Sequence, residues 1–183
     1  MKIKTYFAKL NSRLLLVHLI ATWFVMYGFH ELSFLHNLEF VDWYRKVGYS
    51  NAMRELIRTR KDSISEITYL VLIPQYAILG AKIVCLIISL VICRVNRWFW
   101  VNSLLIFLFF FVPVKTEFSA WYYLKGILHY PGYLFNNTAL VYTINGTYLI
   151  AIGLFLFFSP VIKRFINKNN NQPETTEHYS FSN

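Results

Sequence analysis

The sequence predicts an all-α integral membrane protein, a bundle of four transmembrane helices. Apolar residues make up 56% of the 183 residues and charged residues only 15%, against roughly 45–50% and 25% in soluble domains. The apolar residues fall into four long blocks, as in proteins that cross a membrane several times. Lys and Arg lie outside these blocks, with the exception of Lys82 in the second block. Aromatic residues reach 19%, and their rings favour the headgroup level of a bilayer.

The four apolar blocks give the predicted transmembrane spans. They cover approximately residues 14–35, 64–93, 98–113 and 139–160. The second would extend about 45 Å as a helix, which exceeds a hydrocarbon core of about 30 Å. We therefore expect it to tilt, to protrude or to kink at Pro74. The third block is short for a crossing and comes within range when it is counted from Trp98.

The two longer connections carry apolar residues of their own. In the first, Met53, Leu56 and Ile57 lie at helical spacing among charged residues, which predicts an outer amphipathic segment on the membrane surface or, alternatively, a solvated helical linker. The second, residues 114–138, is rich in aromatic residues and broken by Pro131-Gly132, which predicts an interfacial half-helix followed by a turn. We assign residues 1–166 to one membrane domain and residues 167–183 to a disordered polar tail.

The distribution of cations predicts the orientation. Residues Arg13, Arg94, Arg97, Lys163 and Arg164 abut ends of spans on one side, where positive charge acts most strongly in holding a loop in the cytoplasm. We therefore expect both termini to be cytoplasmic. The net charge of +9 does not predict nucleic-acid binding, because the cations flank apolar blocks instead of gathering on one face.

Lys82 is the exceptional charge inside a span. It recurs with Thr68, Gln75 and Ser89 at intervals of seven residues, so that the four polar side chains share one stripe of a helix. A lysine at mid-bilayer costs about 2.5–3.5 kcal/mol on insertion scales. Three interpretations remain open: a lysine whose amine reaches the headgroups, an anchor that pairs with an acid of another chain or with exposed carbonyls, and a contact for an anionic ligand such as a lipid phosphate or for a conduction path.

A second group of polar residues is expected at the outer face. It comprises His30, Glu31, His36 and Glu66. Imidazoles and carboxylates together can bind a metal or perform acid–base chemistry, but the spacing of these residues does not match H-E-x-x-H. We interpret them as a charged interfacial rim and predict no metal, no cofactor and no catalytic set.

The fourth span contains a patch of small and polar residues that favours helix packing. Its members are Thr143, Asn145, Gly146 and Thr147. The two cysteines, Cys85 and Cys93, lie eight residues apart in one span, too far apart on a helix to form a disulfide with each other.

These features favour a non-enzymatic membrane protein that acts by assembly with itself or with other membrane subunits. It would be an accessory subunit of a membrane complex or a pore-forming or immunity-type effector. A small transporter or lipid-handling protein that uses Lys82 for an anionic ligand, such as an anionic lipid, is the alternative. A membrane enzyme at the outer interface is the second alternative.

Overall fold

The computed structural model describes residues 10–48, 50–51, 54–55, 58, 64–110, 127–128 and 130–167, with the backbone alone at residues 44, 64–71 and 130. Throughout these ranges the regular elements are helices, and no strand occurs among them. In chain order they are α1 (Ser12–Ser33), a 3-10 turn (Phe34–Asn37), α2 (Leu38–Val47), α3 (Ile64–Val95), α4 (Val101–Phe109), α5 (Tyr130–Tyr133), α6 (Thr138–Phe158) and α7 (Pro160–Asn167). The predicted all-helical class is confirmed.

Three stretches are long and apolar enough to cross a membrane. The first comprises α1 and continues to Trp43 over 32 residues, the second is Leu72–Val95 of α3 with 24 residues, and the third is α6 with 21 residues. At 1.5 Å per residue each exceeds a hydrocarbon core of about 30 Å. The chain is therefore a helical multi-pass membrane protein, and its long helices overlap the first, second and fourth predicted spans.

The third predicted span, residues 98–113, is described only in part. The helix begins at Val101 rather than at Trp98, because α3 ends in a tight turn in which Arg97 has a left-handed φ of 55°. In that turn the Trp98 backbone N–H donates to the Cys93 carbonyl at 2.8 Å, as at many helix C-termini. The nine residues of α4 span about 14 Å, and residues 111–113 lie outside the described chain.

Asparagine side chains fix the starts of α1 and α6. The Asn11 side-chain oxygen accepts from the Leu14 N–H at 3.1 Å, and that of Asn137 accepts from the Leu140 N–H at 3.2 Å. Each bond satisfies one of the backbone donors that a helix start leaves open. At the far end of α6, Ser159 is extended and Pro160 opens α7, so that the helix ends at Phe158, two residues before the predicted 160.

The helices alternate in direction, which gives the molecule two chemically different ends. At the first, Leu14 of α1 packs with Cys93 of α3 and Ile166 of α7. We call it the basic end; it carries Arg13, Arg94, Arg97, Lys163 and Arg164. We call the opposite one the carboxylate end; it comprises the end of α1, the 3-10 turn, α2 and the start of α6, with Glu31, Glu39 and Asp42.

Helices α1 and α6 run antiparallel in close contact through glycines. A Cβ atom added to Gly28 would lie 2.6 Å from the Gly146 carbonyl oxygen, and one added to Gly153 would lie 2.8 Å from the Ala21 carbonyl oxygen. Only glycine permits backbones to approach so closely, which increases van der Waals contact between membrane helices. We call this contact the glycine seam.

Several predicted segments fall outside the described chain. Met53, Leu56 and Ile57 of the outer amphipathic segment are among them, as is most of the aromatic connection up to residue 126. Of the predicted tail, only Asn167 is described, and it closes α7. The short helix α7 differs from the sequence prediction, in which Pro160 closes the fourth span; the proline instead begins a new helix.

Candidate functional site

The polar stripe of α3 runs along α4. Ser89 is buried and its hydroxyl donates to the Ser103 hydroxyl of α4 at 2.8 Å. One heptad away, the Lys82 ammonium donates to the Phe110 carbonyl, just beyond α4, at 3.0 Å. Gln75, the next member, is exposed, and the side chain of Thr68 lies outside the described chain. The stripe therefore faces another helix over the length of α4.

Lys82 meets the end of α4 far from the basic end of the bundle. Twelve residues separate it from Arg94 at the basic end, or about 18 Å along the helix, which is close to the midplane of a hydrocarbon core of about 30 Å. The last carbonyls of a helix have no partner within it, and in a bilayer each unsatisfied group costs several kcal/mol. A lysine there supplies both a donor and a charge that opposes the helix dipole.

A hydrogen-bonded network connects three helices between Lys82 and the basic end. The His18 ring Nδ1 lies 2.8 Å from the Ser89 hydroxyl, and the Ser103 hydroxyl lies 3.3 Å from the Cys93 sulfur. The Ser89 hydroxyl therefore contacts both His18 on α1 and Ser103 on α4, and it joins the two helices through α3.

The other face of the His18 ring is apolar. It packs edge-on against Phe157 at a centroid distance of 4.9 Å and against Trp98 at 6.4 Å. The ring is buried, and its Nε2 atom has no hydrogen-bond partner in the part of the chain that the structure describes. His18 thus joins α1 to the serine pair, as a packing residue with one hydrogen bond.

A narrow cleft lies beside this network. Its polar walls are Thr22, Lys82, Ser89 and Ser103, and Phe110 lines it as well. It has room for about one water molecule. The arrangement can hold a water on hydroxyl groups and an ammonium, but it has no space for a larger ligand.

At the carboxylate end the predicted rim residues are only partly brought together. Glu31 is buried, and its Oε1 atom lies 3.8 Å from Nδ1 of the half-buried His30. His36 is exposed and lines a separate small cleft with Pro74 of α3. The side chain of Glu66 lies outside the described chain. Among the residues that the structure describes, no three His, Cys, Asp or Glu are grouped to hold a metal.

A polar contact that sequence reasoning missed fastens α2 to the start of α6. The Thr138 hydroxyl donates to the Asp42 carboxylate and accepts from the Arg45 guanidinium at 2.9 Å. Thr138 is the first residue of α6 and is buried. This contact holds the amphipathic helix α2 against the bundle.

The small-polar patch of α6 separates into packing and non-packing members. Gly146 belongs to the glycine seam, and the Asn145 side chain accepts from the Gly132 N–H at 2.8 Å. Thr143 and Thr147 donate to carbonyls of their own helix, the Ala139 and Thr143 carbonyls, at 2.8 and 2.7 Å. Thr147 is exposed. Gly28, which packs against Gly146, and Ser103, which bonds to Ser89, belong to no regular spacing in the sequence that would predict these contacts.

The described helices define a helical multi-pass membrane protein, in which Lys82 of α3 donates to the carbonyl that follows the last residue of α4. No protein-family model, curated protein sequence or solved structure matches the chain.

Proposed function

We propose, first, that the chain crosses the bilayer four times. Helix α4 begins at the basic end, where the Asn102 side chain accepts from the Asn11 backbone N–H at 3.2 Å. Helix α6 begins at the carboxylate end, where Thr138 contacts Asp42. The chain between residues 101 and 138 must therefore pass from one end to the other. This supports a third crossing of which α4 forms the first half.

The same arrangement supports a structural role for Lys82. A crossing whose helix ends near mid-membrane exposes carbonyls there, and the Lys82 ammonium meets one of them. Of the three interpretations of this lysine, the anchor on exposed carbonyls accounts best for the contact. Gln75, on the same stripe but beyond the part of α3 that faces α4, is exposed.

We propose that both termini face the cytoplasm. In the described segments that form the basic end, residues 10–20, 88–105 and 155–167, there is no Asp or Glu, and Arg94, Arg97, Lys163 and Arg164 are exposed. At the carboxylate end cations and carboxylates are mixed. Positive charges close to span ends favour the cytoplasmic side, which supports this orientation.

We propose that the protein is non-enzymatic and acts by assembly in the membrane, as an accessory subunit of a membrane complex or as a pore-forming or immunity-type effector. The observation that carries the proposal is Gly80. The other glycines of the long helices, Gly28, Gly146 and Gly153, are each used for a close contact within the chain. Gly80 is exposed, and nothing in the described part of the chain lies within 4 Å of a Cβ added to it.

Gly80 lies on an apolar face of α3 that points out of the bundle. Tyr76, Val84, Ile87 and Val91 share this face and are 45–64% exposed. Glycine costs helix stability relative to alanine, and in membrane helices small residues let a second helix approach closely. An exposed glycine among large apolar residues therefore favours a helix of another protein, or of a second copy, at this position.

The test replaces Gly80 with Leu. The side chain has open space in the isolated chain, so the folded monomer should be retained, whereas a helix packed on Gly80 would be displaced. We expect the Gly80→Leu variant to lose the larger species that the wild type forms in native mass spectrometry and in co-purification of differently tagged copies and native membrane proteins. Ile87→Leu, a nearly volume-conserving change on the same face, is the matched control.

Two outcomes would contradict assembly through this face. One is a wild-type protein that remains a monomer in its native membrane and in liposomes. The other is a Gly80→Leu variant that forms the same complexes as Ile87→Leu.

A second candidate is a small transporter or lipid-handling protein that uses Lys82 for an anionic ligand. It is supported by the Lys82 ammonium inside an apolar helix, and not by the cleft beside it, which holds only about one water molecule. In proteoliposomes, this candidate requires that the Lys82→Met variant lose uptake or lipid transfer while its assembly is unchanged. The candidate would be excluded if the Lys82→Met variant were only less stable and the wild type itself showed neither uptake nor lipid transfer.

A further inference from the structure

We propose that α7, together with Arg13 and the turn after α3, forms a basic collar that lies in the headgroup layer and binds anionic phospholipid. The collar comprises Arg13, Arg94, Arg97, Lys163 and Arg164. The proposal does not depend on the assembly function, because it concerns the basic end of the bundle, whereas Gly80 lies fourteen residues before Arg94 in α3.

Hydrogen bonds to backbone and side-chain atoms of α7 hold this helix against the bundle. The Arg13 guanidinium donates to the Phe165 carbonyl at 3.2 Å, and the Asn11 side-chain amide donates to the Ile166 carbonyl at 3.2 Å. The Trp98 indole N–H donates to the Asn167 side-chain oxygen at 2.9 Å. The first two bonds satisfy two of the last carbonyls of α7, and the three together hold the helix in one orientation.

The surface of α7 divides into three sides with different chemistry. Ile162 and Ile166 pack on Leu14 and the neighbouring core. Val161 and Phe165 are exposed, at 70% and 46%, although both are apolar. Lys163 and Arg164 are exposed on the remaining side. A helix with an apolar side and a cationic side is the pattern of segments that lie in the membrane interface.

The position of α7 along the bundle agrees with a location in the headgroup layer. It follows directly on the extended Ser159, where the spanning helix α6 ends. Trp98, its hydrogen-bond partner, and the 55% exposed Trp100 lie in the same layer, and tryptophan is enriched at the membrane–water interface. Val161 and Phe165 can thus enter the acyl region while the cations remain among phosphates.

The positive charge of the collar indicates that the lipid it binds is anionic. The described segments that form the basic end contain no Asp or Glu, so the five cations have no carboxylate in those segments to neutralise them. Arg13 is in addition held over the Phe165 ring, 4.9 Å from its centroid, which fixes its charge beside the exposed apolar side of α7. Each Lys or Arg near an anionic leaflet is worth about 1 kcal/mol, or about fivefold in affinity.

The experiment reconstitutes the full chain in nanodiscs that contain phosphatidylcholine with or without phosphatidylglycerol. Retained lipid is counted by native mass spectrometry after transfer to neutral detergent. We expect the wild type to retain phosphatidylglycerol selectively, and less of it as salt is raised. The double variant Lys163→Gln/Arg164→Gln should lose about 25-fold in affinity for this lipid. Lys46→Gln/Arg58→Gln, which removes two exposed cations elsewhere, should retain it.

Three results would overturn the proposal. The first is a wild type that retains both lipids equally at every salt concentration. The second is an equal loss of phosphatidylglycerol in the two double variants. The third is an α7 double variant that keeps its lipid but loses a bound acidic protein, since that result would identify the collar as a protein-binding surface.

Discussion

The α1–α6 contact and the α3–α4 contact hold membrane helices together by different means. At the glycine seam the Gly28 and Gly146 backbones approach closely enough that an added Cβ atom has no space. Between α3 and α4, the contact depends on Ser89, Ser103 and Lys82. Lipid tails are as apolar as leucine, so neither contact is driven by the hydrophobic effect between helices.

The two contacts should respond differently to substitution. Close backbone packing fails abruptly, because an added atom has no space and backbone atoms cannot move aside. Polar contacts fail gradually, because a hydrogen bond inside the membrane is worth about 0.6 kcal/mol on average. The glycine seam is therefore expected to be the more sensitive of the two.

The largest effect is expected for Gly28→Val. Its Cβ would lie 2.6 Å from the Gly146 carbonyl oxygen and 2.9 Å from the Ile150 backbone nitrogen. Both are backbone atoms, so helices α1 and α6 must separate. We expect the free energy of unfolding to fall by about 3 kcal/mol, measured by reversible denaturation in detergent micelles. Gly80→Val is the matched control and should leave the monomer's stability unchanged; equal losses in the two variants would show that the seam is not tightly packed.

An intermediate effect is expected for Lys82→Met. The substitution removes the donor to the Phe110 carbonyl, and hydrogen bonds from charged groups are worth about 1.5–3 kcal/mol. We expect about 1–2 kcal/mol of destabilisation, since the removal of a charge from the membrane offsets part of the loss. Amide hydrogen exchange should rise in the last turn of α4, residues 107–110. Lys82→Arg should retain protection, and unchanged exchange in Lys82→Met would argue against the cap.

The long helices could be predicted from the sequence because their signal is local. About twenty consecutive apolar residues define a span whatever surrounds it, and α1, α3 and α6 follow this rule. The seven-residue interval of Gln75, Lys82 and Ser89 likewise placed these residues on one stripe, because the helical period alone decides which side chains share a face.

The end of α4 and the glycine seam could not be predicted in the same way. Phe110 is one of several phenylalanines in an apolar run, and only the fold shows that its carbonyl meets Lys82. Gly28 has no distinctive neighbours in sequence, since its importance comes from Gly146 on another helix. For α7, Pro160 is equally compatible with the end of one helix and the first turn of the next.

The smallest effect is expected for Ser103→Ala, and it tests whether the polar contact is a network or a sum of pairs. Ser103 accepts from Ser89 at 2.8 Å and contacts the Cys93 sulfur at 3.3 Å. Without it the Ser89 proton has no acceptor on α4, although the His18 contact to Ser89 remains. We expect a loss of about 0.6 kcal/mol if the hydrogen bonds act singly, and up to about 1.7 kcal/mol if they act together.

The matched control is Thr147→Ala, because Thr147 is exposed and its hydroxyl bonds to carbonyls of its own helix; the stability of this variant should change little. The additional measurement is a double-mutant cycle of His18→Phe and Ser103→Ala. A coupling energy near zero would mean that His18 and Ser103 act independently, and the α3–α4 contact would then resist substitution one bond at a time. A clear coupling would mean that the polar contact, like the glycine seam, fails as a unit.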